Sequence, residues 1–159
     1  MRDQIMSDYL KTLASEASPG GGATAALQVA QAAALLSAET LSMHALRLAE
    51  KEAHAFRTLN RAHRLPPGET RDRALADARR RACEPAAEVI TAAAAVLDLA
   101  ERVPPDALSA TDLAAVAEAA RAAATTAGVS VEVHSGTADP RVAGLRDRAT
   151  RLTASVVTG

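Results

Sequence analysis

With 159 residues, a formal net charge of -1 and a pI near 6.4, the chain has room for one domain, taken as residues 1–159. It lacks the concentrated basic face that nucleic acids require, and the one dense basic run, Arg79, Arg80 and Arg81, has no interleaved aromatics and reads as a solvated or salt-bridged helix face. About a quarter of the residues are alanine, with one Phe, one Tyr and no Trp, so helix is favoured throughout and the expected fold is all-α, a bundle of about five long helices.

From residue 3 to 17, Ile5, Met6, Tyr9, Leu10 and Leu13 recur at three- and four-residue steps, the pattern of an amphipathic helix. Ser18-Pro19-Gly20-Gly21-Gly22 stops it. Residues 23–64 then contain neither Pro nor Gly and carry a Leu stripe on an alanine background. Two readings are evenly balanced: one continuous helix, or a hairpin broken around Ser42-Met43-His44. Leu65-Pro66-Pro67-Gly68 interrupts next, and a helix from about residue 70 to 103 carries Pro85 in its interior, where a bend is expected.

Pro104-Pro105 ends that helix, and Ser109, Thr111 and Asp112 supply N-cap chemistry for another, starting near Thr111 and reaching at least Thr126. The segment from Gly128 to His134 alternates as a strand would, but a lone strand has nothing to pair with, so a continuing helix is favoured. Ser135-Gly136 breaks it. Asp139 as cap and Pro140 at the first helical position open a last helix, over residues 140–157.

A core of alanine and leucine lets helix axes approach closely but buries little apolar area per residue, which points to a homodimer through the Ala-rich helices. Cys83 is the single cysteine, so an internal disulfide and a zinc-ligand cluster are excluded. As a small core residue it needs no chemistry. The first nine residues carry neither signal-peptide nor transit-peptide character, and no apolar run has membrane-spanning length, so a cytoplasmic protein is expected.

Several residues invite a chemical reading. Gly20, Gly21 and Gly22 precede a helix start, where unpaired N–H groups favour a carboxylate or oxyanion; a tight turn accounts for them equally well. Glu50 and His54, like Glu52 and Phe56, are four apart and share a helix face. The first pair suits acid/base work, or simply an exposed charged face. Capping alone would explain Asp112. His44 and His63 read as solvated helix residues, and Tyr9 as core.

The order of these motifs resembles the formiminotransferase-cyclodeaminase C-terminal family, which includes stand-alone methenyltetrahydrofolate cyclohydrolases. The resemblance rests on Tyr9-Leu10-Lys11-Thr12-Leu13, the Ser18-Pro19-Gly20-Gly21-Gly22-Ala23-Thr24 turn, and Glu52-Ala53-His54-Ala55-Phe56 followed by Leu65-Pro66. It continues through Glu84-Pro85 to the helix opening at Thr111-Asp112. The chain is shorter than the family pattern between Leu41 and Glu50, where a Thr, a Lys and a Tyr have no counterpart. Where the family has Asn-Val-x-x-Asn, it carries Ser130-Val131-Glu132-Val133-His134.

The resemblance implies an enzyme acting on a folate with a one-carbon bridge. Such an enzyme either closes a formimino group with loss of ammonia or opens the methenyl ring with water. It implies catalytic roles for Glu52 and Asp112 and substrate binding at Pro19, Gly20, Gly21 and Gly22; the spacing to Glu50 adds His54 as a candidate acid/base group, and Ser130 and His134, which stand where the family has Asn, are candidates for substrate binding and catalysis, His134 bringing a titratable group to that place. The tetrahydrofolate derivative is the substrate, with no metal and no further cofactor. The altered positions leave open a member redirected to another small cyclic imine or amidine, or a catalytically inert helical dimer.

Overall fold

The computed structural model describes residues 6–14, 20–104 and 106–158. Six helices follow in order: α1 (Met6–Leu13), α2 (Gly21–Leu35), α3 (Glu39–His63), α4 (Glu69–Ala100), α5 (Ala110–Ser135) and α6 (Arg141–Thr158). The expectation of about five is corrected to six, because residues 23–64 form two helices. The outer parts of the first expected helix, residues 3–5 and 15–17, lie outside the described residues, as do Ser18 and Pro19.

The hairpin reading of that long stretch holds and the continuous helix does not, but the break falls at Leu36, Ser37 and Ala38, ahead of Ser42-Met43-His44. Ser37 takes a left-handed conformation with φ 55, and the Ser37 and Ala38 amides donate back to the carbonyls of Ala34 and Ala33. The turn is therefore closed by backbone bonds, with no Gly or Pro to announce it. The Ser42 hydroxyl, inside α3, donates to the Ala30 carbonyl at 3.0 Å and ties the two arms together.

Other boundaries follow local chemistry. Gly68, at φ 144, holds a backbone conformation open chiefly to glycine directly ahead of α4. Ser109 caps α5, accepting from the Asp112 amide at 3.0 Å. The alternating segment from Gly128 to His134 is helical, as favoured, and Gly136 in the left-handed region ends α5. The Asp139 carboxylate accepts from the Arg141 amide at 2.9 Å, the expected cap.

Helices α2, α3, α4 and α5 form a ring, each packed on its chain neighbours, with α2 closing the ring against α5. One buried cluster fills it. Its largest fully enclosed side chains are Leu48, Ile90, Leu97, Val29, Val89, Val96 and Val116, and alanines take most of the remaining positions. Pro85 is buried within α4. α6 lies against α4 and α5, seating Leu145 and Ala149 in the core and Val142 over Gly128. Arg148 clamps it to α4 through Asp98 at 2.6 Å and Glu101 at 2.8 Å. No helix among the described residues is long and apolar enough to cross a membrane.

Candidate active site

The turn at Ser37 sends α3 back alongside α2, which sets the middle of α3 opposite the first turn of α2. Glu52 is there, only 7% exposed. Its close neighbour is Gly22: a Cβ at that position would lie 2.6 Å from the Glu52 carboxyl carbon and closer still to Oε2. Glycine at 22 thus leaves the space that the Glu52 carboxyl occupies, which gives a use to a third glycine that a turn alone does not need.

The Glu52 Oε1 atom is buried and has no hydrogen-bond partner. Burial without a compensating charge disfavours the ionised form and pushes the carboxyl up to about 7. Gly21 and Gly22 lie in the first turn of α2 rather than ahead of it, with Gly20 as the residue before the helix. Amides of a first turn have no carbonyl partner within their helix, so this end of α2 offers donors beside the acid.

The opposite wall comes from α5. Ser130 and His134, four residues apart, line the same cavity, which has a volume of about 200 Å³. His134 is held below its ordinary pKa, mainly by desolvation and secondarily by the positive charge of Arg79, so it is a neutral imidazole at pH 7. Phe56 and Leu59, one and two turns beyond Glu52, form an apolar side, and Ala82 of α4 closes the remainder. The pocket therefore joins a carboxyl poised near neutrality, a neutral imidazole, a hydroxyl and a helix N-terminus.

Of the residues expected from sequence, Gly20, Gly21, Gly22, Glu52, Ser130 and His134 converge here. His54 does not: two residues from Glu52 is more than half a helical turn, and His54 is exposed in a groove between α3 and α4 together with Glu50. Those two share a face, as their spacing requires, but it is not the face of the pocket. Asp112 is also elsewhere. It lies in the first turn of α5, about 33 Å along the axis from His134 at 1.5 Å per residue, and its Oδ2 accepts the Ser109 hydroxyl at 2.7 Å. Pro19 is outside the described residues.

Sequence reasoning missed Phe56, Leu59 and Ala82 as pocket walls. The four-residue step from Glu52 to Phe56 carried the signal for the first. Nothing local marks Ala82, which reaches the pocket only through the packing of α4. Among the described residues no cluster of three His, Cys, Asp or Glu side chains is arranged to hold a metal ion.

Comparison with known proteins defines the class of this fold. Residues 35–141 match the model of the formiminotransferase-cyclodeaminase family, and the chain belongs to that family. The matched stretch includes Glu52, Ser130 and His134 and begins after the glycine turn. Among solved structures the chain is similar to formiminotetrahydrofolate cyclodeaminase from Thermotoga maritima, with a TM-score of 0.77, 18% sequence identity and 98% of each chain covered. At that identity the likeness is one of fold. No curated protein matches the chain.

Proposed function

We propose that the Glu52 pocket is the acid/base site of a folate one-carbon enzyme acting on a cyclic amidinium, of the methenyltetrahydrofolate cyclohydrolase or formimidoyltetrahydrofolate cyclodeaminase type. The observation that carries the proposal is a buried carboxyl with an unpartnered oxygen, held near pH 7 and facing an imidazole across a cavity. A group of that pKa both takes and returns protons efficiently at neutral pH. A cationic substrate would supply the counter-charge that Glu52 lacks.

In ring opening, the oxygen of a water molecule bonds to the one-carbon bridge as one of its protons passes to the Glu52 carboxylate. One carbon–nitrogen bond of the tetrahedral adduct then breaks, and its electron pair remains on the departing nitrogen. The hydroxyl proton of the adduct passes to that nitrogen as the oxygen becomes a formyl carbonyl, and the proton taken by Glu52 is released. In ring closure, an amine nitrogen of the substrate bonds to the carbon of the protonated formimino group and gives its proton to Glu52, which returns it to the terminal nitrogen; that carbon–nitrogen bond then breaks, ammonia leaves, and the positive charge stays on the new cyclic amidinium. His134 and Ser130 orient the reacting groups, and the first-turn amides of α2 face developing negative charge.

A second reading, a smaller cyclic imine or amidine, is favoured by the cavity itself. Its volume of about 200 Å³ is below the roughly 300–1,000 Å³ of sites that enclose larger ligands. We further infer that the protein works as a homodimer, supported by its small-side-chain core and by Val129 and Val133, exposed beside Ser130 and His134. Sedimentation at micromolar concentration tests that part.

The decisive experiment follows the loss of methenyl absorbance when purified protein meets 5,10-methenyltetrahydrofolate. Acceleration above background that falls at least a hundredfold in Glu52→Gln is expected. No acceleration would remove the cyclohydrolase reaction, leaving assays of ammonia release and of smaller amidines to separate the remaining readings from an inert dimer.

A further inference from the structure

We propose that the end of α3 carries a second binding site, for a free chain of two or three linked phosphates, held by Arg57, Asn60, Arg61 and Arg64. Among the described residues these four make up the lining of a surface cavity of about 330 Å³, which shares no residue with the Glu52 pocket.

Spacing brings the donors together. Positions 57, 61 and 64 stand four and three apart, so their side chains rise from one face of the helix. The Arg61 Nε donates to the Arg57 carbonyl at 3.4 Å, which folds that side chain back toward Arg57, and its terminal nitrogens have no partner among the described residues. All three arginines are exposed, so a ligand reaches them directly from solvent.

The charge of this face is unanswered by the protein. Arg73, Arg80, Arg121, Arg141 and Arg148 each pair with a carboxylate, whereas Arg57, Arg61 and Arg64 have no ion pair among the described residues. The sequence supplies no acid nearby: there is no Asp or Glu between residues 53 and 68, and α2, packed beside α3, carries no charged side chain. Like charges at this helical spacing repel, and a bound anion turns that cost into attraction.

The ligand class follows from the donors. One carboxylate fills a single guanidinium fork, whereas three forks and an amide call for several charges and many acceptor oxygens in a small volume. Linked phosphates supply both. The lining has no aromatic or apolar side chain on which a base could stack, so recognition stops at the phosphates.

Calorimetric titration of the full-length protein with sodium tripolyphosphate, at pH 7.5 in low salt without divalent cations, tests this. Saturable binding of one tripolyphosphate per chain is expected, about tenfold or more tighter than tricarballylate, a trianion built from carboxylates. Adenosine triphosphate should bind no more tightly than tripolyphosphate. Arg57→Gln and Arg61→Gln should each weaken binding about tenfold, as loss of a charge-assisted hydrogen bond implies, and the double variant should abolish it. Arg47→Gln removes the same charge from an exposed position in the first half of α3, and should leave affinity within about twofold. Far-UV circular dichroism establishes that each variant is folded. Absence of saturable binding, tricarballylate binding as tightly as tripolyphosphate, a tenfold preference for adenosine triphosphate, or equal losses in Arg47→Gln and Arg61→Gln would overturn the proposal.

Discussion

Glu52 is ionised less readily in the folded chain than in the unfolded one, and that difference fixes a dependence of stability on pH. Its folded pKa, about 7, lies above the ordinary value of 4.5, so the native state binds more protons between those two values. Stability therefore falls as pH rises through that window, by about 3 kcal/mol above pH 7 relative to pH 4. Glu52→Gln cannot titrate. Urea unfolding of both proteins at pH 5 and pH 8 should show the variant gaining on the parent by roughly 2–3 kcal/mol across that interval. Gly22→Ala acts on the same carboxyl from the other side: its Cβ must displace the carboxyl, admitting water. The pH limb of kcat/KM should move down toward the ordinary carboxylate range, with turnover lowered about a hundredfold.

The elements show how far local signals reach. The cap at Asp139, the break at Gly136 and the continuity of α5 through a strand-like segment were all legible, because each rests on chemistry within a few residues. The hairpin was legible only as one of two readings, and the place of its turn at Ser37 was not legible at all. Its turn is made by a serine in the left-handed region, a conformation that costs a non-glycine residue about 1–2 kcal/mol, and packing of two alanine-rich arms overrides that cost. Ser37→Gly should accordingly raise the midpoint of thermal unfolding, by up to about 1 kcal/mol in stability. The candidate site divides the same way. Glu52 and the glycines were readable from motif and resemblance, whereas Asp112 lies away from the Glu52 pocket, since a first-turn aspartate that pairs with the capping serine and one that lines a pocket look alike in sequence. His54 lies outside that pocket for a simpler reason: its spacing from Glu50 gives a shared face but not which way that face points.

At the scale of the whole molecule, the core depends on close helix contact rather than on large side chains. Ala25, Ala26, Ala117 and Ala120 are fully buried, so added volume there has nowhere to go. Ala120→Leu should lose about 1–3 kcal/mol in urea unfolding despite its greater hydrophobicity. The ring also imposes an order of events. The hairpins α2–α3 and α4–α5 join chain neighbours, whereas the contact of α2 with α5 brings together segments about a hundred residues apart, and loop-closure entropy delays such a contact. The Glu52 pocket straddles that seam, with its glycines on one side and His134 on the other. Its environment is thus assembled last and opened first, and amide hydrogen exchange should find the α2 first turn and the end of α5 exchanging together, well before the middle of α4. Ligand that bridges the seam would slow both at once, tying occupancy of the pocket to closure of the ring.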